Sequence, residues 1–401
     1  MILNFVKKNS YDLKNFFLFS FGSIVASFFG YLTTREINSG LSEIEFGKFS
    51  YYYSILQLVF VFLSLNLYST YIRFNNAGVS ESLLRYVKGY TWIATVLFAL
   101  IIYLLTSDLF LCCFSFILVY YERTYFYRSV LNTTSLNILT VLTSIILYLF
   151  CKYYFSTNST PDHLKVLRFY GFGYLLSVVF VLINDKKKYI TSNVVISFPL
   201  LLKYCLPLIG VTIIEWVLNF SNQYIIKNFL GFEELAKYAM AFRALFVLRF
   251  ASSIFLLYFP MVYFRDIAKR DFSKINFIRS AISTILILLT MVMFFMPQMV
   301  YAFMGGNKYI DSVNLFRILL IADFLRIIAS FYGIVLTYEI KTQKTLYIQL
   351  LGALVNLALS LIFINKYGVI GAAIANFVAC FTIFLITYFY SRSIERKYIT
   401  Y

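Results

Sequence analysis

The chain is a succession of long apolar stretches separated by short polar segments. A stretch of about 20 apolar residues is long enough for an α-helix to cross a hydrocarbon core about 30 Å thick. The segments between the stretches are too short to hold a soluble catalytic domain. The pattern therefore predicts an all-α polytopic membrane protein with twelve spans, at residues 15–34, 49–72, 89–106, 109–127, 131–151, 168–184, 199–219, 238–260, 277–300, 313–337, 345–364 and 369–390.

Composition excludes a soluble globular protein of this size. The chain is 61% hydrophobic and only 13% charged, whereas ordinary soluble domains carry about 25% charged residues. The formal net charge of +17 comes from short clusters of Lys and Arg between the apolar stretches. Such clusters are a membrane-topology signal, so no nucleic-acid partner is predicted.

The distribution of basic residues predicts the orientation of the chain. If the N-terminus is cytoplasmic, 20 of the 35 Lys and Arg residues lie in inside segments and 9 in outside segments. This bias predicts that both termini are cytoplasmic. Lys7, Lys8 and Lys14 precede a first apolar stretch that is long and has no small-residue cleavage site after it, which predicts an uncleaved first span.

A repeat divides the chain into two predicted lobes, residues 1–190 and 191–401, with the basic run Lys186–Lys188 as a connector. The segment Glu45–Ser50, which follows span one, resembles Glu234–Ala239, which follows span seven. An even number of spans between the copies predicts parallel repeats about an axis along the membrane normal.

The residues of common catalytic and metal sites are sparse. His163 is the one histidine and is predicted to lie in a loop, and the five cysteines show no CxxC spacing. No phosphate-binding GxxxxGK[ST] loop is present. We therefore predict no catalytic residues, no metal site, no cofactor and no enzymatic activity.

Ionisable residues within spans are costly and face a partner or water, so they are the candidate functional residues. Arg249 would lie about 16 Å into span eight, with no acidic residue one turn away, and is predicted to be a cavity-facing cation. Asp323 and Arg326 lie near the middle of span ten and share a helix face. They are interpreted either as an intrahelical pair or as part of the same cationic cavity.

Other charges lie closer to span ends. Glu215 and Arg243 would lie at matched depths, about 6 Å and 7 to 8 Å from the outer ends of spans seven and eight. They are predicted to form an ion pair that either locks two helices or gates transport. Three further cations are interpreted as snorkelling to a span end, namely Lys203, Arg279 and Arg317.

Several motifs give the chain a resemblance to a known family. They are Arg35 followed by Glu43–Phe49, the run Lys203–Leu208, Tyr224–Ile226 with Glu234 and Tyr238 after it, and Asn356 followed by Ile364–Ala373. These motifs resemble the polysaccharide flippases of O-antigen and capsule export, within the superfamily that includes multidrug/toxin extrusion carriers and the lipid II flippase. Asn222 and Gln223 stand where that family commonly has Asp-Arg.

The resemblance implies a two-lobed, V-shaped carrier in the bacterial inner membrane. It implies transport of an undecaprenyl-pyrophosphate-linked oligosaccharide for lipopolysaccharide or capsule biosynthesis. The depth of the charged residues separately predicts that Arg249, Arg326 and Arg243 bind substrate and that Glu215 and Asp323 couple or gate transport. Expected partners are the lipid-linked oligosaccharide and membrane lipids, with a polymerase, a chain-length regulator and a coupling proton or sodium ion as further candidates. A multidrug exporter of small cations and a membrane-embedded polysaccharide polymerase remain alternatives.

Overall fold

The protein is helical along almost its whole length. The computed structural model describes residues 10–71, 79–130, 132–158, 160–184, 191–192, 197–268, 272–339 and 341–399. The predicted connector Lys186–Lys188 lies outside the described residues. The helices are α1 Ser10–Gly40, α2 Glu43–Ser64, α3 Glu81–Thr106, α4 Ile117–Ser129, α5 Thr133–Thr157, α6 His163–Asn184, α7 Phe198–Leu230, α8 Phe232–Ala244, α9 Phe246–Ala268, α10 Phe272–Phe295, α11 Pro297–Phe303, α12 Val313–Tyr338, α13 Thr342–Tyr367 and α14 Val369–Ile399.

Short irregular elements connect these helices. Three 3₁₀ helices span Leu67–Ser69, Leu111–Phe116 and Asn307–Ser312. The strands β1, Val79–Ser80, and β2, Thr191–Ser192, form a two-residue parallel ladder. Three helix boundaries have local causes. Ser80 caps α3, and Gly231 and Gly368 adopt φ angles of 88° and 60° at the breaks before α8 and α14.

Within the described residues, each of the twelve predicted spans overlaps helical structure, which confirms the all-α polytopic fold. Nine helical segments of the described chain are long and apolar enough to cross a membrane by themselves. The other three predicted spans lie in α1, in the 3₁₀ helix and α4 that together cover 111–129, and in α8 and α9, which cover 232–268. The last two are each interrupted, so neither forms one long continuous helix.

The chain falls into two compact units, residues 1–41 with 55–209 and residues 42–54 with 210–401. These bounds differ from the lobes predicted at 1–190 and 191–401. The start of α2 belongs to the second unit, and the first unit extends into the first third of α7. The compact units are defined by contacts within the structure, whereas the predicted lobes were defined by the sequence repeat. The division into lobes at residue 190 stays a prediction.

In the first unit, contacts between helix ends fix the number of membrane crossings. Just after α3, Asp108 accepts a hydrogen bond from Arg168 Nε of α6 at 2.7 Å. These two helix ends therefore lie on one side of the membrane, and the chain crosses an even number of times between them. Because α5 is a candidate span, the interrupted segment 111–129 must cross as well.

The same reasoning applies within the second unit. A Cβ atom at Gly47 of α2 would lie 2.1 Å from the carbonyl oxygen of Phe232, so the starts of α2 and α8 are in close backbone contact. The neighbouring Phe46 ring lies 5.5 Å from the ring of Tyr309. Phe232 and Tyr309 are therefore on one side, and since α10 is a candidate span, the segment 232–268 crosses too.

The two copies of the predicted repeat have the same local structure. In each, a Glu in the first turn of a helix pairs with a Lys three residues later. Glu45 and Lys48 are 2.8 Å apart, and Glu234 and Lys237 are 2.5 Å apart. Which side of the membrane is cytoplasmic stays a prediction from the bias of basic residues.

Candidate functional site

The candidate site is built around one buried carboxylate on α12. Asp323 has only 4% of its side chain exposed and receives hydrogen bonds from two arginines. Arg249 of α9 donates from Nε at 2.9 Å and from Nη2 at 3.0 Å. Arg326, one turn after Asp323, donates from Nη2 at 2.7 Å. We call these three residues, with Asn219, the arginine–aspartate cluster.

Four helices of the second unit position the cluster. Asn219 of α7 accepts a hydrogen bond from Arg326 Nη1 at 2.7 Å. The ring of Phe242 on α8 lies 4.1 Å from the Arg249 guanidinium, a distance at which a cation is attracted to the aromatic face. The break between α8 and α9 at Leu245 separates the ring and the guanidinium into different helices. The arginines are therefore held from several directions.

The cluster carries one net positive charge, from two guanidinium groups and one carboxylate. The two arginine side chains are 30% and 26% exposed, whereas the carboxylate is nearly closed off. Asp323 thus neutralises part of the positive charge from inside, and the two arginine side chains remain partly exposed. An arginine fork of this kind can bind a phosphate group with paired, charge-assisted hydrogen bonds.

The structure extends two sequence-based expectations about this site. The intrahelical pair of Asp323 with Arg326 is confirmed. Arg249 has no acidic residue one turn away on its own helix, and its carboxylate partner Asp323 comes from another helix. The sequence spacing gave no signal for this contact, since residues 74 positions apart are brought together by helix packing alone.

The Arg243 guanidinium lies 4.8 and 4.9 Å from the rings of Phe46 and Phe49. The predicted ion pair between Arg243 and Glu215 stays a prediction. Glu215 is exposed on α7, one turn before Asn219. Its predicted role in coupling or gating stays a prediction.

The three cations expected to snorkel differ in the structure. Lys203 is exposed, and Arg317 donates to the carbonyl oxygen of Phe294 at 3.2 Å. Arg279 contradicts the expectation, because it is 3% exposed and binds the equally buried Glu395. Sequence reasoning missed Glu395, although a lone acid among the basic residues at the end of α14 was an available signal.

A neutral polar network surrounds Asn222 in the interior of the second unit. Asn222 Oδ1 accepts a hydrogen bond from Ser360 at 2.7 Å, and its Nδ2 donates to Tyr238 at 3.2 Å. Asn356 lies within hydrogen-bond distance of Asn222 Nδ2 at 3.4 Å. The position at which the resembling family has Asp is therefore occupied here by an uncharged, buried hydrogen-bonding residue.

An Asn222→Ala variant is expected to lower the free energy of unfolding by about 1 to 3 kcal/mol, because Ser360 and Tyr238 would lose a buried partner. Thermal unfolding of the purified protein in detergent measures the change. Asn365→Ala is the matched control, since Asn365 is exposed on α13. Equal unfolding temperatures for the two variants would contradict a stabilising role for the network.

Comparisons with known proteins identify the fold. No protein-family model and no curated protein matches the chain. An inward-facing multidrug resistance MATE family transporter of the MOP superfamily aligns with a TM-score of 0.74 at 10% identity, over 94% of this chain and 96% of that one. The lipid II flippase MurJ, in an inward closed conformation, aligns with a TM-score of 0.65 at 16% identity, over 94% and 87%.

A third structure, an outward-facing MATE family transporter, aligns with a TM-score of 0.64 at 12% identity, over 96% of this chain and 94% of that one. All three identities are low, so the likeness concerns the fold. It extends over nearly the full length of each chain. The protein is therefore a multi-pass membrane protein with the fold shared by these MATE family transporters and MurJ.

Proposed function

We propose that the protein is a flippase that moves an undecaprenyl-pyrophosphate-linked O-antigen or capsule oligosaccharide unit across the bacterial inner membrane by alternating access. The observation that carries the proposal is the arginine–aspartate cluster, with its net positive charge and its partly exposed arginine side chains. The fold likeness to a lipid II flippase supports it. Both termini are proposed to be cytoplasmic.

The cluster suits a diphosphate ligand for a physical reason. Within the described part of the chain, Arg249 makes its hydrogen bonds through Nε and Nη2, which leaves Nη1 for a ligand oxygen. Asp323 fixes the orientation of both arginines before a ligand arrives, so little side-chain freedom is lost on binding. Water-poor surroundings strengthen each attraction between a guanidinium and a phosphate.

Asp323 and Glu215 have different prospects as coupling residues. A proton or sodium ion at Asp323 would have to compete with two bound arginines. Glu215 is exposed, one turn before Asn219. We assign the coupling role to Glu215, and a positioning role to Asp323.

A multidrug exporter of small cations is the second candidate. The multidrug resistance transporter with a TM-score of 0.74 favours it, and exposed Glu215 would offer a cation an acidic contact. The net positive charge of the cluster acts against it, because a cationic substrate would be repelled. Transport of an anionic headgroup therefore accounts for more of the observed site.

Complementation distinguishes the two candidates. The full chain is expressed in bacterial strains that lack their own flippase and retain the enzymes that assemble and polymerise the glycan, and surface glycan is measured by immunoblot. We expect display to be restored with at least one glycan type, and resistance to cationic drugs to stay unchanged. Drug resistance without glycan display in any strain would favour the exporter and contradict the flippase.

A further inference from the structure

A second charged network of the same unit lies where α10 begins and α14 ends. Glu395 of α14 accepts hydrogen bonds from Arg279 of α10 at 2.5 and 3.2 Å. Tyr263 of α9 donates to the same carboxylate at 3.1 Å. Arg392, one turn before Glu395, donates to it at 3.3 Å. One carboxylate therefore accepts hydrogen bonds from two guanidinium groups, and the network has a net charge of +1.

The two arginines of this network differ in exposure. Arg279 and Glu395 are each 3% exposed, so they form a closed pair. Arg392 keeps 36% of its side chain exposed and also reaches Asn276 of α10 at 3.4 Å. Arg392 therefore carries the exposed positive charge of the network, where α14 contacts α10.

The surroundings of Arg392 match the two parts of a phospholipid. Lys274 and Arg396, near the same helix ends, are exposed. One helical turn deeper along each helix, about 4.5 Å, lie the exposed aromatic side chains of Phe277 and Phe389. Cations at headgroup level above exposed rings at the start of the acyl region form an amphipathic surface.

We propose that this surface, defined by Lys274, Phe277, Phe389, Arg392 and Arg396, binds the phosphate headgroup of an anionic phospholipid. Arg392 contacts the phosphate, and the two phenylalanines contact the acyl chains. The site shares no residue with the arginine–aspartate cluster, so it stands independently of the proposed flippase activity.

A lipid explains the surface better than free phosphate does. Free phosphate would use the cations alone and leave the large exposed aromatic side chains without a role. A membrane-anchored headgroup is held at the depth of the helix ends and brings its own apolar chains. Basic residues near a membrane surface attract anionic lipids by about 1 kcal/mol each.

The test is a titration of the purified full chain in detergent with phosphatidylglycerol or phosphatidylcholine of the same acyl chains, followed by native mass spectrometry. The wild type is expected to prefer phosphatidylglycerol. Arg392→Gln is expected to weaken phosphatidylglycerol binding about fivefold, which corresponds to the contribution of one basic residue. Arg392→Lys should retain most of the preference.

Arg85→Gln is the matched control, because Arg85 is an exposed arginine in the first turns of α3, in the other compact unit. If Arg85→Gln and Arg392→Gln weaken binding equally, the attraction is a general charge effect and the site is refuted. Inorganic phosphate that displaces the lipid as effectively as free phosphatidylglycerol would also refute it.

Arg396→Gln provides a second readout in case Arg392→Gln does not fold. Its side chain is exposed, and it should weaken phosphatidylglycerol binding by a similar factor. The proposal would be overturned if Arg392→Gln failed to fold and Arg396→Gln kept the wild-type preference for phosphatidylglycerol over phosphatidylcholine. The network around Glu395 would then have a structural role only.

Discussion

An Arg249→Glu variant is expected to abolish glycan display in the complemented strain while the protein still inserts into the membrane. The change replaces the guanidinium beside Asp323 by a second carboxylate, so the net charge of the cluster falls from +1 to −1. A diphosphate headgroup would then be repelled by the site proposed to bind it. Display is measured by immunoblot of surface glycan, and insertion by the amount of protein in the membrane fraction.

Arg249→Lys sharpens this prediction. Lysine keeps the positive charge and loses the planar fork that donates two hydrogen bonds to Asp323. We expect roughly a tenfold lower rate of display, equivalent to about 1.4 kcal/mol. A partial loss with Lys and a full loss with Glu would show that charge and geometry both contribute.

Lys366→Glu is the control for the charge change. Lys366 is exposed in the last turn of α13, so the same substitution there should leave display normal. Normal display with Arg249→Glu would remove Arg249 from the mechanism. Normal display with Glu at both 249 and 326 would refute the cationic site as a whole.

The largest effect on stability is expected from Glu395→Gln. This change leaves the guanidinium of Arg279 charged and without its carboxylate, on a side chain that is only 3% exposed. Removing one partner of a buried ion pair typically costs about 3 to 5 kcal/mol. We therefore expect a marked fall in the thermal unfolding temperature of the protein in detergent. Circular dichroism measures this temperature.

Two comparisons test the cause of that loss. Glu234→Gln breaks a pair with Lys237 whose side chains are 36% and 37% exposed, and such surface pairs contribute about 0 to 1 kcal/mol. The double variant Arg279→Met with Glu395→Met should regain much of the stability, since apolar residues can replace a buried pair. If Glu395→Gln proves no more harmful than Glu234→Gln, the buried pair does not stabilise the fold.

Sequence reasoning located most of the candidate residues and missed several contacts. It placed Arg249, Asp323 and Arg326 deep in the membrane, and the structure joins all three in one cluster. It predicted a pair of Arg243 with Glu215 from their equal depth alone, and it gave no sign that the Arg243 guanidinium lies over two phenylalanine rings. Equal depth gives a height along the membrane normal, but a contact also depends on which way each helix is turned.

The sequence by itself determined the spans and the contacts within a single helix. Apolar runs of sufficient length must be helical in lipid, because every backbone polar group needs an internal partner there. The pair Asp323–Arg326 follows from the fixed 3.6-residue turn, which brings positions three apart onto one face. Neither inference requires knowledge of neighbouring helices.

Only the tertiary structure decided the partners that come from other helices. Asp323 meets Arg249 across 74 residues, and Glu395 meets Arg279 across 116. It also assigned the start of α2 to the second unit. These contacts depend on the rotation, tilt and crossing of packed helices, which are set by side-chain fit over whole interfaces and leave no fixed spacing in the sequence.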